Sequence, residues 1–221
     1  MPVIAVIACY LLGSISFPYW IARAYGVDLR TTGERKLGGS NLAKSVGLPQ
    51  GIVGGTLDGA KGFLAVVVAR ALELPLEVQL ACGVAAVAGQ MWPAFHGFDG
   101  GRANSAGWGF GLAVDPVAFL IMMLPVVAAI AMRIAVRPRP SRVLPLAALL
   151  SFAVFPAVIW EQEGTTPAVV AGLAILALIV VRRITAGLRE DLATGATIAR
   201  VLANRALFDR SELQQRGVVG I

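Results

Sequence analysis

Long apolar runs recur along the whole chain, and nothing constrains its folding more. Val3–Ile15, Phe63–Ala69 and Ala168–Val181 are stretches of Ala, Val, Leu and Ile with few or no charges. A hydrocarbon core of about 30 Å needs about 20 mostly apolar residues for each helical crossing. Only 14% of the 221 residues are charged and the mean hydropathy is +0.75, where a soluble domain carries about 25% charged residues. The chain therefore reads as all-α, one polytopic membrane domain over 1–190 and a partly helical tail over 191–221.

Breaks between the runs place segments near 3–23, 50–70, 78–95, 103–114, 117–133, 143–160 and 165–181. The fourth is short, covering roughly 18 Å at 1.5 Å per residue. The alternative is one kinked helix from 103 to 133 and six crossings. Charge favours seven. Arg23, Arg30, Arg35, Lys36 and Lys44 follow the first segment; Arg133, Arg137, Arg139 and Arg142 follow the fifth; Arg182, Arg183 and Arg189 follow the seventh. The other ends hold Arg70, Asp115, Glu161 and Glu163. Seven crossings put every basic cluster on one side, which the positive-inside rule makes cytoplasmic, with the N-terminus outside and the C-terminus inside. Topology thus accounts for the pI of 10.0, and no nucleic-acid partner is implied. The N-terminal run has no basic residue before it and reads as a retained helix, not a signal peptide. In the tail, Ile198, Val201, Leu202, Ala206 and Leu207 recur at helical spacing beside Arg200, Arg205 and Arg210. That pattern fits a basic amphipathic helix on an anionic leaflet, or a short solvated helix with ion pairs.

Cys9 and Cys82 fall in apolar runs, and His96 is the sole histidine. No spacing suggests a metal site, and no cofactor is expected.

Two loops on the basic side concentrate unusual chemistry. In "GERKLGGSNLAKSVG" (33–47), Gly38 and Gly39 let backbone amides converge on an anion. Ser40 and Asn41 add donors there, and Lys36 and Lys44 add charge. In "GFDGGRANSAGWG" (97–109), Gly100 and Gly101 precede Arg102, Asn104 and a helix start, a combination suited to phosphate; Arg102 offers a bidentate fork. Snorkelling to headgroups is the alternative for that arginine. "LDGAKG" (57–62) sets Asp58 and Lys61 about two turns into the second segment, close to the basic side. At i and i+3 they form a structural pair or line a phosphate pocket.

These features, with "YLLGSISFPYWIARAYGVDLR" (10–30) and "GQMWPAFHGFDGGRA" (89–103), resemble the PlsY-type bacterial glycerol-3-phosphate acyltransferases. The likeness covers roughly the first half of the chain and is weak beyond Pro116. It implies a seven-helix inner-membrane enzyme that moves an acyl group from acyl phosphate to glycerol 3-phosphate, with membrane lipids around it and no metal. On that resemblance Arg102, Lys44, Ser40 and Asn41 are the expected catalytic residues. Gly38, Gly39, Lys36, Asp58, Lys61, Gly100, Gly101 and Asn104 are the expected substrate-binding ones. The chain departs from the family pattern at several positions. Glu34, Arg35 and Lys36 stand where serine, glycine and asparagine are usual, Lys44 replaces an arginine, and Gln90 replaces a histidine. With Gln90 unable to act as a base, Glu34, His96 or the substrate's own phosphate is left to take the proton. Two other readings compete: a weakly active or inactive homologue that binds acyl phosphate or anionic lipid, and a small transporter or scaffold.

Overall fold

The computed structural model describes residues 1–136 and 143–207; Arg137, Arg139 and Arg142 of the basic cluster after the fifth segment, and Arg210 of the tail pattern, lie outside them. Among the described residues regular structure is entirely helical. The helices are α1 (Pro2–Ser14), α2 (Phe17–Ala24), α3 (Gly39–Ser45), α4 (Leu48–Ala71), α5 (Leu76–Met91), α6 (Asn104–Val114), α7 (Pro116–Ala135), α8 (Val143–Glu163), α9 (Pro167–Thr185), α10 (Leu188–Leu192) and α11 (Ile198–Leu207). Among the described residues six spans are long and apolar enough to cross a bilayer, the first formed by α1 and α2 together. The short α6 is the fourth segment, the one expected to be short.

The single kinked helix from 103 to 133 is not what forms. Asp115 is extended (φ −146°), and its carboxylate accepts from the amides of Val117 and Ala118 at 2.8 and 2.9 Å. That is an N-cap, and with Pro116 in the first turn it starts a new helix. A second cap divides the first segment. Ser16 Oγ accepts from the Tyr19 amide, so α1 stops at Ser14 and α2 begins at Phe17.

Glycine sets the closest helix contact. A Cβ on Gly62 would strike Ala106 O, and one on Gly109 would strike Gly59 O, so α4 and α6 pack backbone to backbone. The order of contacts gives direction. Gly59 and Gly62 meet the start of α6, while Arg70 donates to Ala113 O (2.9 Å) at its end; the two helices run parallel. Cys9 lies beside Cys82, Gly13 meets Ala86 and Ser14 meets Gly89, so α1 and α5 also run parallel. α9 is antiparallel to α6, since Ile175 packs near Gly107 and Arg182 bonds Gly101 O. The 25–47 loop, the 92–103 loop and the C-terminal end of α9 therefore share one face. Phe110, Phe152, Phe155 and Ile175 fill the core between α6, α8 and α9.

Candidate functional site

On the shared face the two cationic loops meet through one acidic residue. Glu34 forms ion pairs with Lys44 and, at 3.8 Å, with Lys36. Arg102, from the other loop, lies within its electrostatic attraction. Leu37 O stands 3.0 Å from where a Cβ of Gly101 would be. Lys36, Lys44 and Arg102 are thus brought together, with Gly38, Gly39 and the exposed Ser40 opening α3 alongside and Asn104 opening α6. Burial draws the Arg102 pKa down to about 9, opposed by Glu34 and aided by Arg183, Arg205 and Arg182. At neutral pH it is a desolvated cation.

Other expected site residues do different work. Asn41 is 1% exposed, and its amide nitrogen donates to the carbonyls of Leu29, Thr32 and Lys36 at 3.3, 3.1 and 3.1 Å. Its Oδ1 accepts from the Glu34 amide at 2.8 Å. It shapes the loop and has no donor left for a ligand, which corrects its expected catalytic place. Gly100 and Gly101 do not present their amides to an anion either. Those amides donate to Met91 O (3.2 Å) and Gln90 O (3.1 Å). Glycine is needed at 100 because a Cβ would run into Gln90 O and Pro93.

Asp58 and Lys61 are corrected in depth as well as role. α4 begins at Leu48, so Lys61 lies near the middle of a 24-residue helix, not close to the basic face. Both are 1% exposed. Lys61 Nζ meets Asp58 Oδ1 at 2.9 Å, Gly13 O at 3.0 Å and Ile15 O at 2.6 Å. Three donors have three acceptors, which leaves none for a phosphate. The carbonyls are those that the end of α1 leaves without intrahelical partners, so the ammonium serves as their cap. Gln90 Nε2 donates to Asp58 Oδ2 at 2.6 Å, tying the pair to α5. His96 sits at the ring of Tyr19, 4.8 Å between centroids.

Arg182 is the residue that sequence reading missed. In the sequence it stands among the basic residues that end the seventh segment, yet it is 6% exposed and holds the Arg102 loop. It donates to Asp99 Oδ1 (2.5 Å), Gly100 O (2.8 Å) and Gly101 O (3.3 Å). This accounts for the aspartate next to Arg102 in the same loop: its charge is directed at Arg182. Arg183 bonds Pro145 O and Arg205 O at 3.0 and 3.2 Å, and Arg205 pairs with Asp191 at 2.7 Å. Arg205, expected on a solvated polar face, is instead buried, and α11 packs against the end of α9. A double arginine at the end of an apolar segment is a signal, but only burial separates a loop anchor from a snorkelling charge.

Arg182→Gln is expected to lower the melting temperature of the detergent-solubilised protein by about 5 °C, since charge-assisted hydrogen bonds of this kind contribute about 1.5–3 kcal/mol. Asp99→Asn, at a carboxylate 80% exposed, is expected to shift it much less. An unchanged melting temperature in Arg182→Gln would show that the three contacts carry no stability.

A family model described as glycerol-3-phosphate acyltransferase matches residues 3–190. Glycerol-3-phosphate acyltransferase 1 of Deinococcus radiodurans is 39% identical over 114 residues, 52% of this chain and 58% of that protein. The glycerol-3-phosphate acyltransferase of Aquifex aeolicus is 38% identical over 120 residues, 54% and 62% of the two chains. The chain thus matches less than two thirds of the length of these curated relatives. The crystal structure of PlsY (YgiH), an integral membrane glycerol 3-phosphate acyltransferase, in its glycerol 3-phosphate form superposes with a TM-score of 0.73. The identity is 29%, over 88% of this chain and 92% of that one. Its lysophosphatidic acid form gives 0.72 and 28%.

Proposed function

Because the chain belongs to the glycerol-3-phosphate acyltransferase family, we propose that it transfers a fatty acyl group from an acyl phosphate to glycerol 3-phosphate, at the membrane face where its cations collect. The observation that carries this reading is the convergence of Lys36, Lys44 and Arg102 from two separate loops at one end of the helices. Both proposed substrates bear phosphate, and both products, lysophosphatidic acid and inorganic phosphate, keep it. The positive-inside rule makes that face cytoplasmic, which puts the N-terminus outside and the C-terminus inside.

In the proposed reaction the 1-hydroxyl oxygen of glycerol 3-phosphate attacks the acyl carbonyl carbon. The new ester C–O bond forms as the acyl–phosphate C–O bond breaks, and the hydroxyl proton passes to a phosphate oxygen. Gln90 takes no part in that transfer, being an amide committed to Asp58. The protein's contribution is then positioning and charge. Lys44 and Lys36 hold phosphate oxygens, while Arg102, half-buried on a loop held in place, stabilises charge that builds on the departing phosphate. The acyl chain lies among the apolar helices, and membrane lipids bound the site.

The test is an assay of the purified full-length protein with palmitoyl phosphate and glycerol 3-phosphate, following phosphate release and lysophosphatidic acid together. Equal amounts of the two products are expected. Lys44→Ala is expected to raise the KM for glycerol 3-phosphate about tenfold, the effect of one charge-assisted hydrogen bond. Phosphate release without lysophosphatidic acid would mean hydrolysis instead of transfer and would overturn the reading.

A further inference from the structure

Glu34 sits where an anionic ligand belongs. Its carboxylate takes the ion pairs of Lys36 and Lys44 and faces the charge of Arg102, although those three cations come from a loop, from α3 and from the loop before α6. The side chain is 15% exposed, so it lies in the cluster and not out in solvent. Its backbone is held independently of that contact. The Glu34 amide is fixed by Asn41 Oδ1, and the flanking Gly33 (φ +62°) and Arg35 (φ +54°) are both left-handed. A sharp turn stabilised by the buried Asn41 therefore positions Glu34, and the ion pairs are left to its three side-chain torsions.

We infer that Glu34 is a resident counter-anion of this site, one that an incoming phosphate group displaces. Charge decides the exchange. One carboxylate brings a single negative charge to three cations, whereas a phosphate monoester brings about −1.5 to −2 at neutral pH and three acceptor oxygens. A dianion gains more from the same cations than the carboxylate loses. A singly charged anion has no such margin over a competitor that is tethered in place and so acts at high effective concentration. Glu34 thereby lowers the apparent affinity of every anion for the site by the same factor. At a given concentration only an anion that binds the cations strongly, such as a phosphate monoester, displaces it. In the empty site it also spares Lys36, Lys44 and Arg102 mutual repulsion. The inference rests on reading this cluster as the phosphate site.

The experiment is calorimetric titration of inorganic phosphate into the detergent-solubilised full-length protein, comparing wild type with Glu34→Gln, an uncharged variant of nearly the same shape. Removing the competitor is expected to tighten phosphate binding about tenfold and acetate binding by a similar factor. Unchanged or weaker phosphate binding in a monodisperse Glu34→Gln protein overturns the inference, as does the absence of phosphate binding in both proteins. Where Glu34→Gln loses its fold, Glu34→Asp, which keeps the charge but shortens its reach, is read instead. Tighter binding than wild type supports displacement, and equal or weaker binding overturns it. Tightened binding in a protein that makes no lysophosphatidic acid keeps the inference and rejects the acyltransferase reading.

Discussion

Arg102→Ala is expected to reduce kcat/KM for glycerol 3-phosphate about 10²–10³-fold, the range seen when one fixed group that stabilises transition-state charge is lost. Two observations set that size. The guanidinium is desolvated, so its attraction for a developing anion is weakly screened. Its loop is held by Arg182 at Asp99, Gly100 and Gly101 and by the Gly100 and Gly101 amides at the end of α5, so it needs no reorganisation at the moment of reaction. Arg102→Lys keeps a cation but loses the planar fork, and an intermediate rate is expected, about tenfold below wild type. Stability is expected to move far less. Arg102 is half-buried, attracted by Glu34 and repelled by Arg183, Arg205 and Arg182, so the opposing charges should leave the melting temperature of the alanine variant close to that of wild type. Lost turnover in a protein about as stable as wild type separates a functional cation from a structural one. Arg102→Ala within threefold of wild-type turnover would remove the residue from the site.

What could be read from the sequence follows from which forces act locally. Lipid demands a long apolar run for each crossing, so the helical segments are visible as composition, and Asp115–Pro116 marks a boundary by its own capping chemistry. The break inside the first segment had the same kind of signal. Ser16–Phe17–Pro18 is an N-cap residue with proline in the first turn, hidden because lipid-level composition continues across it. The cations of the two loops were legible as charge. What they face was not, because ion-pair partners come from remote positions: Glu34 lies 10 residues from Lys44, and Asp99 lies 83 from Arg182. Glycine pairs misled for a related reason. Gly100–Gly101 looks like a string of open amides, but those amides are used by the turn of α5, and the missing Cβ serves a close backbone contact. Sequence shows that a backbone can approach something, while the fold decides what it approaches.

Lys61→Met is expected to destabilise the protein by about 3–5 kcal/mol, the cost of leaving one member of a buried pair without the other. The side chain matches in length and suits lipid depth, so the loss is electrostatic. Asp58 would keep the Gln90 amide but face a void of charge, and Gly13 O and Ile15 O would lose their donor at the break between α1 and α2. Water cannot restore these bonds, because all of these groups lie within the helix bundle near the middle of α4. Asp58→Asn alone leaves an ammonium with two carbonyls and an amide oxygen, a smaller deficit, so it should cost less than Lys61→Met. The double variant is the informative one. With both charges gone, only the α1 carbonyls remain unsatisfied, and it is expected to be more stable than Lys61→Met by about 1–3 kcal/mol. Denaturant titration of the solubilised proteins, monitored by tryptophan fluorescence, gives the cycle. Additive effects would mean that Asp58 and Lys61 act independently. The expected coupling instead makes the pair the clasp of α1, α4 and α5, and through the Gly101 amide on Gln90 O it fixes the starting point of the loop that carries Arg102. Turnover should then fall in Lys61→Met even in the fraction that stays folded, although no atom of Lys61 reaches a substrate.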